Sequence, residues 1–168
     1  RDTGASCAQN LGRSSHGEEQ ENALSNEEGK TARDAYQKIL RWAAVRERST
    51  AYLRERLLKD DFPAAVAEEA LQRAVRVRAV DDRRYADALV RMKLAAGRGL
   101  RDAEREIEEL GIDPATLDSW VEHERKGRDF EVGRALAALR RRPPKAKRAR
   151  EAAFRRLVSQ GFSTDVAA

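Results

Sequence analysis

Seven cationic side chains fall within eleven residues of this sequence: Arg140, Arg141, Arg142, Lys145, Lys147, Arg148 and Arg150, broken only by Pro143, Pro144 and two alanines. A run of this kind can neutralise phosphates or carboxylates, and each phosphate contact makes affinity fall with salt. Its plainest reading is a solvated helix and turn. The charge balance of the chain points further. Residues 33–125 carry 19 basic and 19 acidic side chains, whereas residues 126–168 carry 12 basic and 4 acidic, and residues 1–32 carry 3 basic and 6 acidic. Charge confined to one end marks a site and steers an anionic partner towards it, either nucleic acid or an acidic protein groove.

Catalytic chemistry has little to work with. The two histidines are His16, in a polar stretch, and His123, on a helix among charges, and both read as surface residues. Metal binding needs several convergent ligands, and no His, Cys and carboxylate cluster has that spacing. A nucleophile and base would require His123 to meet a serine through folding. Acidic pairs such as Glu108-Glu109 read as solvated faces. Gly97-Arg98-Gly99 resembles a fragment of a phosphate-binding loop, but it lacks the preceding strand and the Gly-Lys-Ser/Thr ending. It is expected to be a flexible connector. The expectation is therefore a binding protein with no enzymatic activity, no cofactor and no metal.

Cys7 is the only cysteine, so no internal disulfide can form and a reducing, cytoplasmic setting is expected. No apolar run reaches the roughly 18 residues of a membrane span, and no apolar secretory segment opens the chain. Arg1 in place of Met points to a processed or truncated chain.

The elements that would position the cations read as helices throughout. Charged residues make up 38% and aromatics 5% of the chain, which suits exposed helices with thin apolar faces better than one deep core. Residues 1–30 lack apolar periodicity and are expected to form a disordered tail. Beyond them the chain repeats. Phe62, Ile112 and Phe162 are spaced 50 residues apart, as are Leu57, Ile107 and Leu157, Leu53, Ala103 and Ala153, and Asp61, Gly111 and Gly161. Each set ends a helix alike, with an apolar i, i+4 pair, a turn residue suited to the left-handed conformation, and an apolar residue. The predicted fold is all-α: tandem three-helix repeats in three copies with a period of about 50, over 31–79, 80–125 and 126–168.

In the first copy a helix over about 33–45 presents Tyr36, Leu40 and Ala43, Ser49 or Thr50 caps a helix carrying Leu53 and Leu57, and Pro63 opens a third with Val66, Ala70 and Leu71. In the second, Asp81 or Asp82 caps a helix bearing Tyr85, Leu89 and Met92. A helix with Ala103, Ile107 and Leu110 follows, and Pro114 opens one with Leu117 and Val121. The third copy has a helix with Val132, Leu136 and Leu139, a break at Pro143-Pro144, a basic helix from Lys145 to about Ser159, and a truncated last helix after Ser163. Trp42, Tyr36 and Tyr85 read as core, and Trp120 as core or packing between copies. Phe154 alone lies where an aromatic could stack on bases, but its spacing to Leu157 and Val158 predicts burial. Where a helix-turn-helix would place base-reading residues stand Ala64, Ala65, Ala115 and Thr116, so sequence-specific DNA readout is not expected.

The run Val80-Asp81-Asp82-Arg83-Arg84-Tyr85-Ala86, followed by Gly97-Arg98-Gly99 and Leu110-Gly111-Ile112-Asp113, resembles the RecX family of recombination regulators. Leu53-x-x-Arg56-Leu57 and the stretch from Arg156-Leu157 to Gly161-Phe162-Ser163 are similar to its pattern too, and the resemblance covers roughly 33–166. It implies an elongated, curved body, monomeric and without cofactor, that binds the RecA recombinase filament along its groove or blocks its growth. ATP hydrolysis, strand exchange and co-protease activity would thereby fall, restraining recombination and the SOS response. Three departures stand out: Tyr52 where the family usually has Glu, Asp61 in place of a turn glycine, and an acidic helix over 102–109 with Glu104, Glu106, Glu108 and Glu109. That acidity moves the expected contacts with an acidic groove or DNA phosphates to the seven cations of the third copy. The alternatives are a non-specific nucleic-acid-binding helical protein that acts without RecA, and an adaptor whose apolar faces hold another protein.

Overall fold

A computed structural model describes residues 30–145 and 147–168. The expected tail over 1–30, with Cys7 and His16, lies outside the described residues apart from Lys30. Among those residues all regular structure is helical: α1 Ala32–Val45, α2 Thr50–Lys59, α3 Ala64–Arg76, α4 Asp82–Ala95, α5 Arg101–Glu109, a 3-10 turn Pro114–Thr116, α6 Asp118–Glu124, α7 Gly127–Arg141, α8 Ala149–Ser159 and α9 Thr164–Ala167.

The helix ends follow from local chemistry. Thr31 and Asp34 form a capping box at α1, the Ser49 hydroxyl accepts from the Tyr52 N–H at 3.2 Å, and the Asp81 carboxylate accepts from the N–H groups of Arg83 and Arg84. Each side chain satisfies a donor that the helix itself leaves unpaired. α2, α5 and α8 close identically. Asp61, Gly111 and Gly161 take φ of 58°, 72° and 86°, and the N–H groups of Phe62, Ile112 and Phe162 reach back to the carbonyls of Leu57, Ile107 and Leu157 at 3.1, 3.3 and 3.1 Å. This is a Schellman closure with its accompanying apolar contact, recurring at the spacing seen in the sequence.

Buried residues form three clusters in chain order. The first joins Ile39, Leu53, Leu57, Phe62 and Leu71; the second Leu89, Val90, Ile107, Leu117 and Trp120; the third Ala135, Ala138, Leu157 and Phe162. The principal helix packings, α1 and α2 on α3, α4 on α5 and α6, and α7 and α8 on α9, stay within these groups. Leu57 is fully buried, and truncating it to alanine is expected to cost about 2–5 kcal/mol.

Several apolar assignments shift. α1 seals its core with Ala35 and Ile39, Leu40 being half-buried. Met92, Leu136, Phe154 and Val158 are 52%, 47%, 36% and 38% exposed, so burial of Phe154 is corrected. α7 packs through Ala135 and Ala138, whose small side chains admit close helix approach and rotate Leu136 outward. Pro63 is the N-cap of α3, and Pro114 opens a 3-10 turn, the helix proper starting at Asp118.

The joints between groups differ in kind. At the first, Asp82 accepts from the Thr50 N–H and hydroxyl at 2.7 and 2.6 Å, and Arg84 pairs with Glu47 at 2.5 Å. At the second, the Gly99 and Arg101 N–H groups donate to the carbonyls of Gln160 and Gly161 at 3.0 and 3.1 Å. A Cβ on Gly99 would overlap the Gly161 carbonyl, and one on Gly161 would overlap the Asp102 backbone. The expected flexible connector is thus a packed joint, because its lack of side chains lets two backbones touch.

Candidate anion-binding surface

The seven cations do not share one helix. Arg140 and Arg141 end α7, and Arg142 caps it outside the helical region, φ −150° and ψ 79°, in keeping with the bias against helical backbone before a proline. Lys145, Lys147 and Arg148 lie in the connector, and Arg150 in the first turn of α8. The basic helix expected from Lys145 therefore starts four residues later, at Ala149, since Pro143 and Pro144 break the chain and no side chain caps an earlier start. All seven are exposed. Among the described residues the run makes one ion pair, Arg148 with Glu151 at 3.5 Å, and an exposed pair of this kind contributes little.

The second joint gathers more charge around the end of α7. Arg141 lies against Gly97, and Arg156 donates to the carbonyl of Arg142. With Arg98 and Gln160 these residues line a cleft of about 210 Å³. Its charge is unevenly compensated. Arg98 and Lys93 hold Asp102 at 2.6 and 3.0 Å. Burial by itself pushes the Asp102 carboxyl up, but the Lys93 and Arg98 donors outweigh it and hold the pKa below the usual value. No described carboxylate pairs with Arg141, Arg142 or Arg156, so the cleft keeps a positive potential. The Gln160 side-chain oxygen is buried there with no donor.

Arg98 and Arg156 were not among the seven cations expected from the sequence to make the contacts. Arg98 sits in Gly97-Arg98-Gly99, and only docking of the third group brings it beside Arg141 and Arg142.

His123 also departs from its expected surface position. It is 4% exposed, pairs with Glu131, and meets the edge of Phe130 at 5.7 Å between ring centroids. The chain turns at Gly127, φ 77°, and Phe130, Glu131 and Arg134 of the first turns of α7 cover the His123 ring. Its hydrogen-bonding partners among the described residues are Glu131 and Arg134, so it has no nucleophile to activate. Arg134 continues the network, donating to Glu131 at 2.7 Å and to the carbonyls of Leu94 and Arg98 at 2.8 and 2.9 Å. These groups brace the second joint. No described group of three or more His, Cys, Asp or Glu could hold a metal, and no described helix is long and apolar enough to cross a membrane.

Comparison with known proteins converges on one family. The model of the first three-helix domain of RecX matches residues 35–73, spanning most of α1 to α3. The regulatory protein RecX of Geobacillus thermodenitrificans is 31% identical over 138 residues, 80% of this chain and 51% of that protein. RecX of Syntrophotalea carbinolica is 40% identical over 70 residues, 42% of this chain and 46% of that protein. The chain spans about half the length of the curated relatives it matches. A crystal structure of regulatory protein RecX aligns over 89% of this chain and 74% of its own with a TM-score of 0.62 at 21% identity. RecX from Lactobacillus salivarius aligns over 81% and 91% with a TM-score of 0.59 at 17% identity, a likeness of fold. With helix caps, turns and glycine joint where the resemblance placed them, the chain is similar in sequence to regulatory proteins RecX and shares the fold of their crystal structures.

Proposed function

We propose that this chain binds the RecA recombinase filament and lowers its ATP hydrolysis, strand exchange and co-protease activity, without chemistry of its own. In this reading it acts as a cytoplasmic monomer built of three units, 31–79, 80–125 and 126–168. The regulatory name of its relatives supports the class of activity. The observation that carries the contact surface is the concentration of uncompensated arginines where α7 ends, with Arg98 and Arg156 joining the run at the second joint. Arg140, Arg141, Arg142, Lys145, Lys147, Arg148 and Arg150 would meet an acidic filament groove or the DNA phosphates within it, with affinity falling as salt rises.

Single-stranded-DNA-dependent ATP hydrolysis by the cognate recombinase, titrated with this chain, tests the reading. Inhibition is expected well below one molecule per recombinase monomer, and reversal of Arg141, Arg142 and Lys145 to glutamate should weaken it and flatten its salt dependence. Full inhibition by the reversed variant would reject the surface, and none by the folded parent would reject the function. The same cleft favours a second reading, non-specific nucleic-acid binding without RecA. Equal binding to naked DNA with and without recombinase, and no ATPase effect, would select it.

A further inference from the structure

Between the first and second groups of helices lies a groove that shares no residue with the basic run. Tyr52 of α2 and Tyr85, Leu89 and Met92 of α4 wall it, and Arg46 and Arg48 from the α1–α2 connector stand at its rim. It encloses about 260 Å³, below the roughly 300–1,000 Å³ of pockets that hold small molecules, so it suits one or two protein side chains. Tyr52 and Met92 are 39% and 52% exposed although both are largely apolar.

The rim carries unmet charge. The Arg48 guanidinium stacks on Tyr52, 4.5 Å from the ring centroid, and its Nε is covered yet has no acceptor. Among the described residues neither Arg46 nor Arg48 has an ion-pair partner, because Glu47 between them is held by Arg84 at 2.5 Å. Two uncompensated cations beside an apolar floor fit a ligand that carries a carboxylate next to an apolar group. A nucleic-acid strand fits less well. A phosphodiester backbone repeats its charge at every nucleotide and needs cations along its whole path, whereas this groove offers two arginines beside a floor of Tyr52, Tyr85, Leu89 and Met92.

We propose that this groove is a docking site for a protein segment in which a bulky apolar residue, leucine or phenylalanine, adjoins an acidic one. The apolar side chain lies against Tyr52, Leu89 and Met92, and the carboxylate meets the terminal nitrogens of Arg48, with Arg46 alongside. The groove and the basic run share no residue, so peptide binding and filament inhibition can fail separately.

Met92 is the only methionine of the chain, so a methyl-13C-methionine sample reports a single resonance, inside the groove. Titration of the full chain with the peptide Ac-Glu-Leu-Phe-Glu-NH2 is expected to move that resonance saturably. Arg48→Gln should weaken binding about tenfold, the loss of one charge-assisted hydrogen bond, while Ac-Lys-Leu-Phe-Lys-NH2 and oligothymidylate leave the resonance in place. Arg46→Gln, at an exposed position, repeats the test should Arg48→Gln alter the far-UV spectrum. No saturable shift with the acidic peptide, an equal shift with the basic one or with oligothymidylate, or unchanged affinity in both variants would overturn the proposal.

Discussion

The first joint is tied by side chains, the second by backbone, and this difference governs how each can respond to stress. Asp82 and Arg84 reach across the first joint with rotatable side chains, and an open groove remains beside them. At the second, Gly99 and Gly161 bring two main chains into contact, and Arg134 spans the Leu94 and Arg98 carbonyls. A side-chain tie can relax through rotamers, whereas a backbone tie leaves almost no freedom. The second joint therefore holds Arg98 beside Arg141 and Arg142, while the first leaves room for a ligand.

The sharpest way to break this contrast is a pair of equivalent turns. Gly161→Ala meets both a left-handed φ and the Asp102 backbone, and should cost about 3 kcal/mol or more. Gly111→Ala, with open space around its Cβ, should cost about 1–2 kcal/mol. Urea unfolding followed by circular dichroism compares them, and equal losses would mean that the second joint is not tight. Next comes Arg134→Met, which strips donors from two carbonyls and from Glu131. It should cost about 2 kcal/mol and accelerate hydrogen exchange at the Gly99 and Arg101 amides, and unchanged exchange there would remove Arg134 from the joint.

At the first joint, Asp82→Ala should cost about 1 kcal/mol through loss of the Thr50 acceptor, without altering exchange at Gly99. The smallest effect concerns acid. The Asp102 pKa is held below its usual value when folded, so its stabilisation is fully present above the ordinary carboxylate value and is lost as pH falls below about 4. Asp102→Asn should therefore flatten the acid limb of a stability–pH profile, and an unchanged limb would show that its pairing with Lys93 and Arg98 does not stabilise the fold.

Much of the fold was legible in the sequence because its signals are short-range. Ser49 and Asp81 cap the helices that follow them, and Asp61, Gly111 and Gly161 adopt the left-handed turns their spacing required. Less legible was which apolar residues each helix would bury. Leu136 and Phe154 have helical spacing suited to a core, but α7 packs through Ala135 and Ala138, and α8 through Leu157. In a sequence with thin apolar stripes, adjacent faces differ little in hydrophobicity, and the partner helix chooses between them.

The candidate site divides in the same way. The seven cations could be read as a charge excess without coordinates, because net charge is additive along a chain. Their joining by Arg98 and Arg156, the burial of His123 against Glu131, and the groove under Arg48 depend on contacts between residues far apart in sequence. Helix caps, turns and charge distribution were determined by the sequence alone, since each rests on neighbours within a few positions. Which charges stand together and which are compensated was decided only by tertiary docking, because a glycine's missing Cβ matters only once another backbone arrives beside it.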